Sequence, residues 1–94
     1  MQSYVYILSN KKHGTLYTGV TSNLIQRVYQ HKYTHGSNFT TQHAVHKLVY
    51  YELFGEICDA IQKEKQIKHW NRQWKINLIE KDNPDWVDLY FSII

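Results

Sequence analysis

Cysteine and proline are nearly absent from these 94 residues: Cys58 and Pro84 are the only ones. A lone cysteine excludes an intrachain disulfide and any cysteine-rich zinc site. It fits a reducing, cytoplasmic setting. The thiol itself reads as a small side chain for packing. Long apolar runs are missing too. None approaches the ~20 residues of a membrane span, so no membrane partner is expected. The opening "MQSYVYIL" has neither a charged n-region nor a small-residue cleavage site, and it reads as a strand. The third absence is acid. Residues 1–51 contain no Asp or Glu, whereas they hold Lys11, Lys12, Arg27, Lys32, Lys47 and five of the six histidines. All eight acids lie from Glu52 onward, so the first part carries +5 and the rest −2. Such asymmetry favours a face that meets a polyanion over a uniformly solvated surface.

What is present is an ordinary globular balance, 43% hydrophobic and 20% charged. The length predicts one domain, 1–94, with its core at about 3–90. "SYVYIL" and "TLYTGV" alternate like strands around the loop "SNKKHG". A symmetric loop over 9–14 sets Leu8 against Thr15 and Tyr6 against Tyr17, bringing two phenols onto one face. "TSNLIQRVYQHKY" reads as a helix capped by Asn23, with Leu24, Ile25 and Val28 as its apolar stripe and Arg27 and His31 one turn apart beside it. "HKLVYYELF" is a third strand. "EICDAIQKEKQIKHW" and "NRQWKINLIEK" are helices, and a short helix or extended apolar tail follows Pro84. The order β-β-α-β-α-α predicts an α+β layer, a three-stranded and mainly antiparallel sheet flanked by helices.

Glu64 is out of place in this pattern. At about 100° per residue, Ile57, Ala60, Ile61 and Ile67 share one sector of the second helix, and Glu64 falls inside it. An inward carboxylate needs a basic side chain, a metal ion or a proton. Lys68, one turn along, offers the plain ion pair. Together with Arg27, His31, Tyr6 and Tyr17, the same acid suggests a phosphodiester-cutting site. There the carboxylate holds a hard cation, the guanidinium steadies phosphate charge, and a phenol or imidazole moves a proton.

These residues resemble the GIY-YIG nuclease family. "YVY" (4–6) stands where that family has "GIY", and "YTG" (17–19) where it has "YIG". Arg27, His31, Glu64 and Asn77 follow in the family's order. The resemblance is to its small bacterial members, related to the cutting domain of the excision-repair nuclease. It implies that Glu64 is the single protein ligand of Mg²⁺ or Mn²⁺, that Tyr6 helps activate water, that Tyr17 and His31 orient water or phosphate, and that Arg27 holds the scissile phosphate. Gly19 and Asn77 become supporting residues. Tyr4 adds bulk where the family has glycine.

Lys11, Lys12, Lys32, Lys63, Lys68 and Arg72 are candidate phosphate contacts within a basic run that Lys65 and Lys75 extend. "HGSNFTTQH" (35–43), with Phe39, reads as a loop near that surface. Trp70, Trp74 and Trp86 read as core. The pairs His31/His35 and His43/His46 lack cysteine support, so zinc is not expected. The resulting expectation is a divalent-metal-dependent endonuclease acting on DNA, in branched, damaged or single-stranded form, with RNA left open and no protein partner legible. The alternative is a nucleic-acid-binding module with a weak or inactive site.

Overall fold

Period-two strands and period-3.6 helices form where the sequence sets them. The computed structural model describes residues 2–34, 41 and 43–94. Along it run β1 (Ser3–Ser9), β2 (Leu16–Thr21), α1 (Leu24–Tyr33), β3 (Lys47–Phe54), α2 (Ile57–His69), α3 (Arg72–Asp82) and the short α4 (Tyr90–Ile93). The expected loop around Phe39, and His35 with it, lie outside the described residues. The strands form one antiparallel sheet in the order β2-β1-β3. Asn23 caps α1 by accepting from the Gln26 amide at 3.1 Å, and Asn71 caps α3 by accepting from the Trp74 amide at 2.9 Å.

The hairpin register differs from the expected one by two residues. Tyr6 pairs with Gly19, and Leu8 pairs with Tyr17. The cause is local: Asn10 folds its side chain over the turn and accepts from the Thr15 amide at 2.9 Å, while the Gly14 amide donates to the Lys11 carbonyl at 2.9 Å. The loop therefore starts at Asn10 rather than Ser9. A shift of two keeps every side chain on its face.

Those faces are unlike. One buries Val5 and Ile7 against Ala60, Ile67, Ile79 and Trp86, an apolar core beneath α2 and α3. The other buries Tyr6 and Leu8 with Leu24, Val28, Val45, Leu48 and Tyr90 beneath α1 and the C-terminal segment. That segment is pinned at Asp88. Its carboxylate accepts from the Leu48 and Tyr90 amides, each at 3.1 Å, and pairs with the Lys32 ammonium.

Several packing expectations need correction. Ile25, Ile57, Ile61 and Trp74 are exposed, and so is Cys58. On α2 the buried stripe runs through Ala60 and Ile67, so Ile57 and Ile61 fall at its solvent margin. On α1 His31 is buried in the position expected for an aliphatic side chain, and Ile25 turns out. Trp86 is fully buried, as expected.

Candidate active site

Four of the chemistry-bearing residues converge on the α1 side of the sheet. Tyr6 rises from the middle of the central strand and Tyr17 from its neighbour. Their rings are diagonal partners with centroids 6.3 Å apart. Gly19 sits opposite Tyr6, and a Cβ there would lie 2.6 Å from both Cζ and Oη of Tyr6. The phenol lies across the glycine backbone, so only glycine lets the ring fold flat at this point. Helix α1 delivers the rest. His31 Nε2 is 3.0 Å from Tyr6 Oη, and its ring centroid is 5.8 Å from that of Tyr6 and 5.4 Å from that of Tyr17. Arg27, one turn earlier, is anchored by donating from Nη1 to Gln30 Oε1 at 2.9 Å. Gln30 was not singled out in the sequence; its i, i+3 spacing from Arg27 is the signal that marks it.

Burial and the guanidinium set the protonation of this cluster. Desolvation drives the Tyr6 phenol up to about 12; Tyr17 adds to the rise and Arg27 opposes it by hydrogen bonding and charge. Desolvation lowers His31 to about 4, and the Arg27 charge pushes the same way. At neutral pH the pair is therefore a protonated phenol against an uncharged imidazole. Arg27 is too weak a counterforce to make Tyr6 a phenolate, so the contact between the phenol and His31 is a hydrogen bond between two neutral groups.

Glu64 stands on another element. Helix α2 packs on β1 and β2 with Ala60 and Ile67 in the core of the opposite face, and Glu64 lies on the same stripe. Its side chain is 14% exposed and its carboxylate is 3.5 Å from the Nζ of Lys68, itself 51% exposed. Among the described residues Lys68 is its polar partner, so the plain ion pair is present, between a largely buried acid and a half-exposed ammonium. Helix α2, which bears the acid, therefore packs on the face opposite the ring cluster, so the expected gathering of all five groups on one surface of the sheet is corrected. Among the described residues no three His, Cys, Asp or Glu side chains gather in a metal cluster. One largely buried carboxylate with hard oxygens nevertheless suits Mg²⁺ or Mn²⁺, because such ions retain waters and need only one or two protein carboxylates.

The remaining candidates scatter. Asn77 is exposed on α3 and accepts from Gln73 Nε2 at 2.9 Å. Lys32 is corrected outright as a phosphate contact. Its side chain is 6% exposed, paired with Asp88 and flanked by the rings of Tyr90 and Phe91 at 5.2 and 5.0 Å. The sequence hid this because the partner lies 56 positions away. Arg72 turns inward to the hairpin, donating to the carbonyls of His13 and Gly14 at 2.5 and 2.6 Å. Lys63 covers the Trp70 ring at 5.3 Å. Lys11 and Lys12 are exposed at the hairpin tip. The bulk of Tyr4 stays on the same face, packed against the layer that holds Tyr6 and edge-on to Tyr51 at 6.5 Å.

Comparison with known proteins identifies the family and the fold. A family model described as "GIY-YIG catalytic domain" matches residues 2–77. The UPF0213 protein of Staphylococcus haemolyticus is 37% identical over 78 residues, spanning 83% of this chain and 94% of that one. The UPF0213 protein of Clostridium perfringens is 40% identical over 77 residues, 82% of each chain. A solution NMR structure of the UPF0213 protein of Bacillus halodurans superposes with a TM-score of 0.58 at 30% identity, covering 94% of this chain and 93% of the other.

Proposed function

The chain belongs to the GIY-YIG family of nucleases, and from that premise we propose that it is a divalent-metal-dependent endonuclease that hydrolyses phosphodiester bonds in DNA. The observation that carries the reading is the cluster of Tyr6, Tyr17 and His31 beside Arg27, in a part of the chain without acids.

Each residue has a role that its surroundings support. Arg27, held by Gln30, presents its guanidinium to the non-bridging oxygens of the scissile phosphate and steadies charge as it develops. Tyr6 keeps its proton at neutral pH, so it acts as a hydrogen-bonding phenol in contact with His31, not as a standing base. His31, uncharged above about pH 4, holds the Tyr6 hydroxyl by its Nε2 and helps to orient it. Tyr17 packs against both rings and orients water or phosphate. Glu64 would hold Mg²⁺ or Mn²⁺, which when bound supplies Lewis-acid stabilisation and a more acidic water. For the acid to serve the same phosphate as the rings, the substrate must reach both the helix on one face of the sheet and the ring layer on the other.

Plasmid and branched DNA, incubated with and without Mg²⁺ or Mn²⁺, test the reading. Metal-dependent nicking that disappears in Glu64→Gln supports it. Paramagnetic broadening by Mn²⁺ tests the geometry separately: the ring protons of Tyr17 and His31 should broaden in the wild type and sharpen in Glu64→Gln. The Glu64–Lys68 pairing favours one competitor, a nucleic-acid-binding module. DNA binding without nicking in either protein, and no broadening, would establish that competitor instead.

A further inference from the structure

The junction of α2 and α3 carries an aromatic surface that the ring cluster does not use. Trp70 ends α2 and Trp74 opens α3, with ring centroids 6.0 Å apart and planes at 79°. Trp70 is half-buried, its inner side against the apolar core, whereas Trp74 is 56% exposed. Together with Asn77, Leu78 and Lys81 they line a shallow groove of about 370 Å³. Trp74, Asn77, Leu78 and Lys81 recur at i, i+3, i+4 and i+7, so they form one solvent-facing stripe of α3. Lys63, seven residues before Trp70, lays its ammonium 5.3 Å from the centre of that ring.

An exposed indole on a helix stripe gains nothing from folding, and its surroundings say what it suits. The groove walls contain two tryptophans, one amide and a lysine, with a second lysine over the edge and no acid among the lining residues. A nucleic-acid strand supplies both needs at once, a flat π-face for the indoles and a phosphate on either side for the ammonium groups. Duplex DNA keeps its bases stacked inside and offers no free face. We propose that this groove is a binding site for single-stranded nucleic acid, in which one unpaired base stacks on Trp74 and the flanking phosphates meet Lys63 and Lys81. The inference rests on the nuclease reading only for the class of ligand, and it assigns the groove a role in strand capture apart from the cutting residues.

Tryptophan fluorescence tests it in EDTA, where cutting is absent. Titration with an oligothymidylate of 15 nucleotides at low salt should quench the emission and lose strength as salt rises. Buried Trp86 sets the unquenched background. Trp74→Ala should weaken binding about tenfold by anisotropy of the labelled oligomer, and Trp74→Phe should restore much of it, because the exposed site tolerates both without unfolding. Lys63→Ala with Lys81→Ala should flatten the salt dependence by roughly two phosphate contacts. Equal affinity for wild type, Trp74→Ala and Trp74→Phe would overturn the groove as a strand site. So would tighter binding of a blunt duplex than of the single strand. Neither result bears on metal-dependent nicking, so the nuclease reading stands or falls by its own assay.

Discussion

The two faces of the sheet use the same three strands for opposite ends. Odd-numbered side chains of β1, Val5 and Ile7, enter a core of isoleucines and tryptophan. The even-numbered Tyr6, one residue away, enters a layer where a phenol, an imidazole and a guanidinium are packed at contact distances. The strand period of two is what separates them. Both sides thus bury apolar side chains, but only one of them adds a phenol and an imidazole in hydrogen-bond contact.

That division can be broken first on the apolar side. Ile79→Ala should cost about 2–5 kcal/mol of stability by urea titration while leaving the activity of the folded fraction unchanged. A parallel loss of specific activity at full folding would erase the distinction. On the ring side the expectation reverses. Arg27→Ala should lower nicking on the order of 10²–10³-fold, with a melting temperature close to wild type. Gly19→Ala tests the point where the ring layer rests on backbone. Its methyl group would overlap the Tyr6 ring, so about 1–3 kcal/mol of stability should be lost and the His31 imidazole resonances should shift as the phenol moves.

The smallest effect concerns pH. His31 has a folded-state value of about 4, below its ordinary 6.5, so the unfolded chain binds the proton more readily. The neutral ring's contribution is complete above about pH 6.5 and is lost as pH falls toward 4. NMR titration of the imidazole should find its midpoint near 4, and His31→Asn should remove that part of the acid destabilisation. A midpoint near 6.5 would show a solvated ring and contradict the buried layer.

Element order and type were legible because the strands alternate and the helices are periodic, the first of them capped by Asn23 as expected. The register was not, because it depends on one side chain, Asn10, closing over the turn. Helical periodicity located a stripe on α2 but not its centre, so Ile57 and Ile61 were put inside while Glu64 kept its inward position. The two phenols could be anticipated from the hairpin, and Arg27 with His31 from one helical turn, whereas the meeting of the two pairs carried no local mark, Tyr6 and His31 being 25 positions apart. The fates of Lys32 and Arg72 could not, because Asp88 and the His13 carbonyl are distant in sequence and carry no local mark.

The grip of Arg72 on the hairpin reaches further than the turn itself. His13 is held from three sides: its carbonyl by that guanidinium, its imidazole by Glu80 at 2.7 Å, and its ring edge by Trp86 at 5.2 Å. Lys11 and Lys12 thus ride on a tip that is already ordered before any encounter. A polyanion arriving there has no flapping loop to freeze, so the entropy lost at first contact is confined to two lysine side chains. Cutting that tether with Arg72→Ala would show itself as slower capture rather than faster escape.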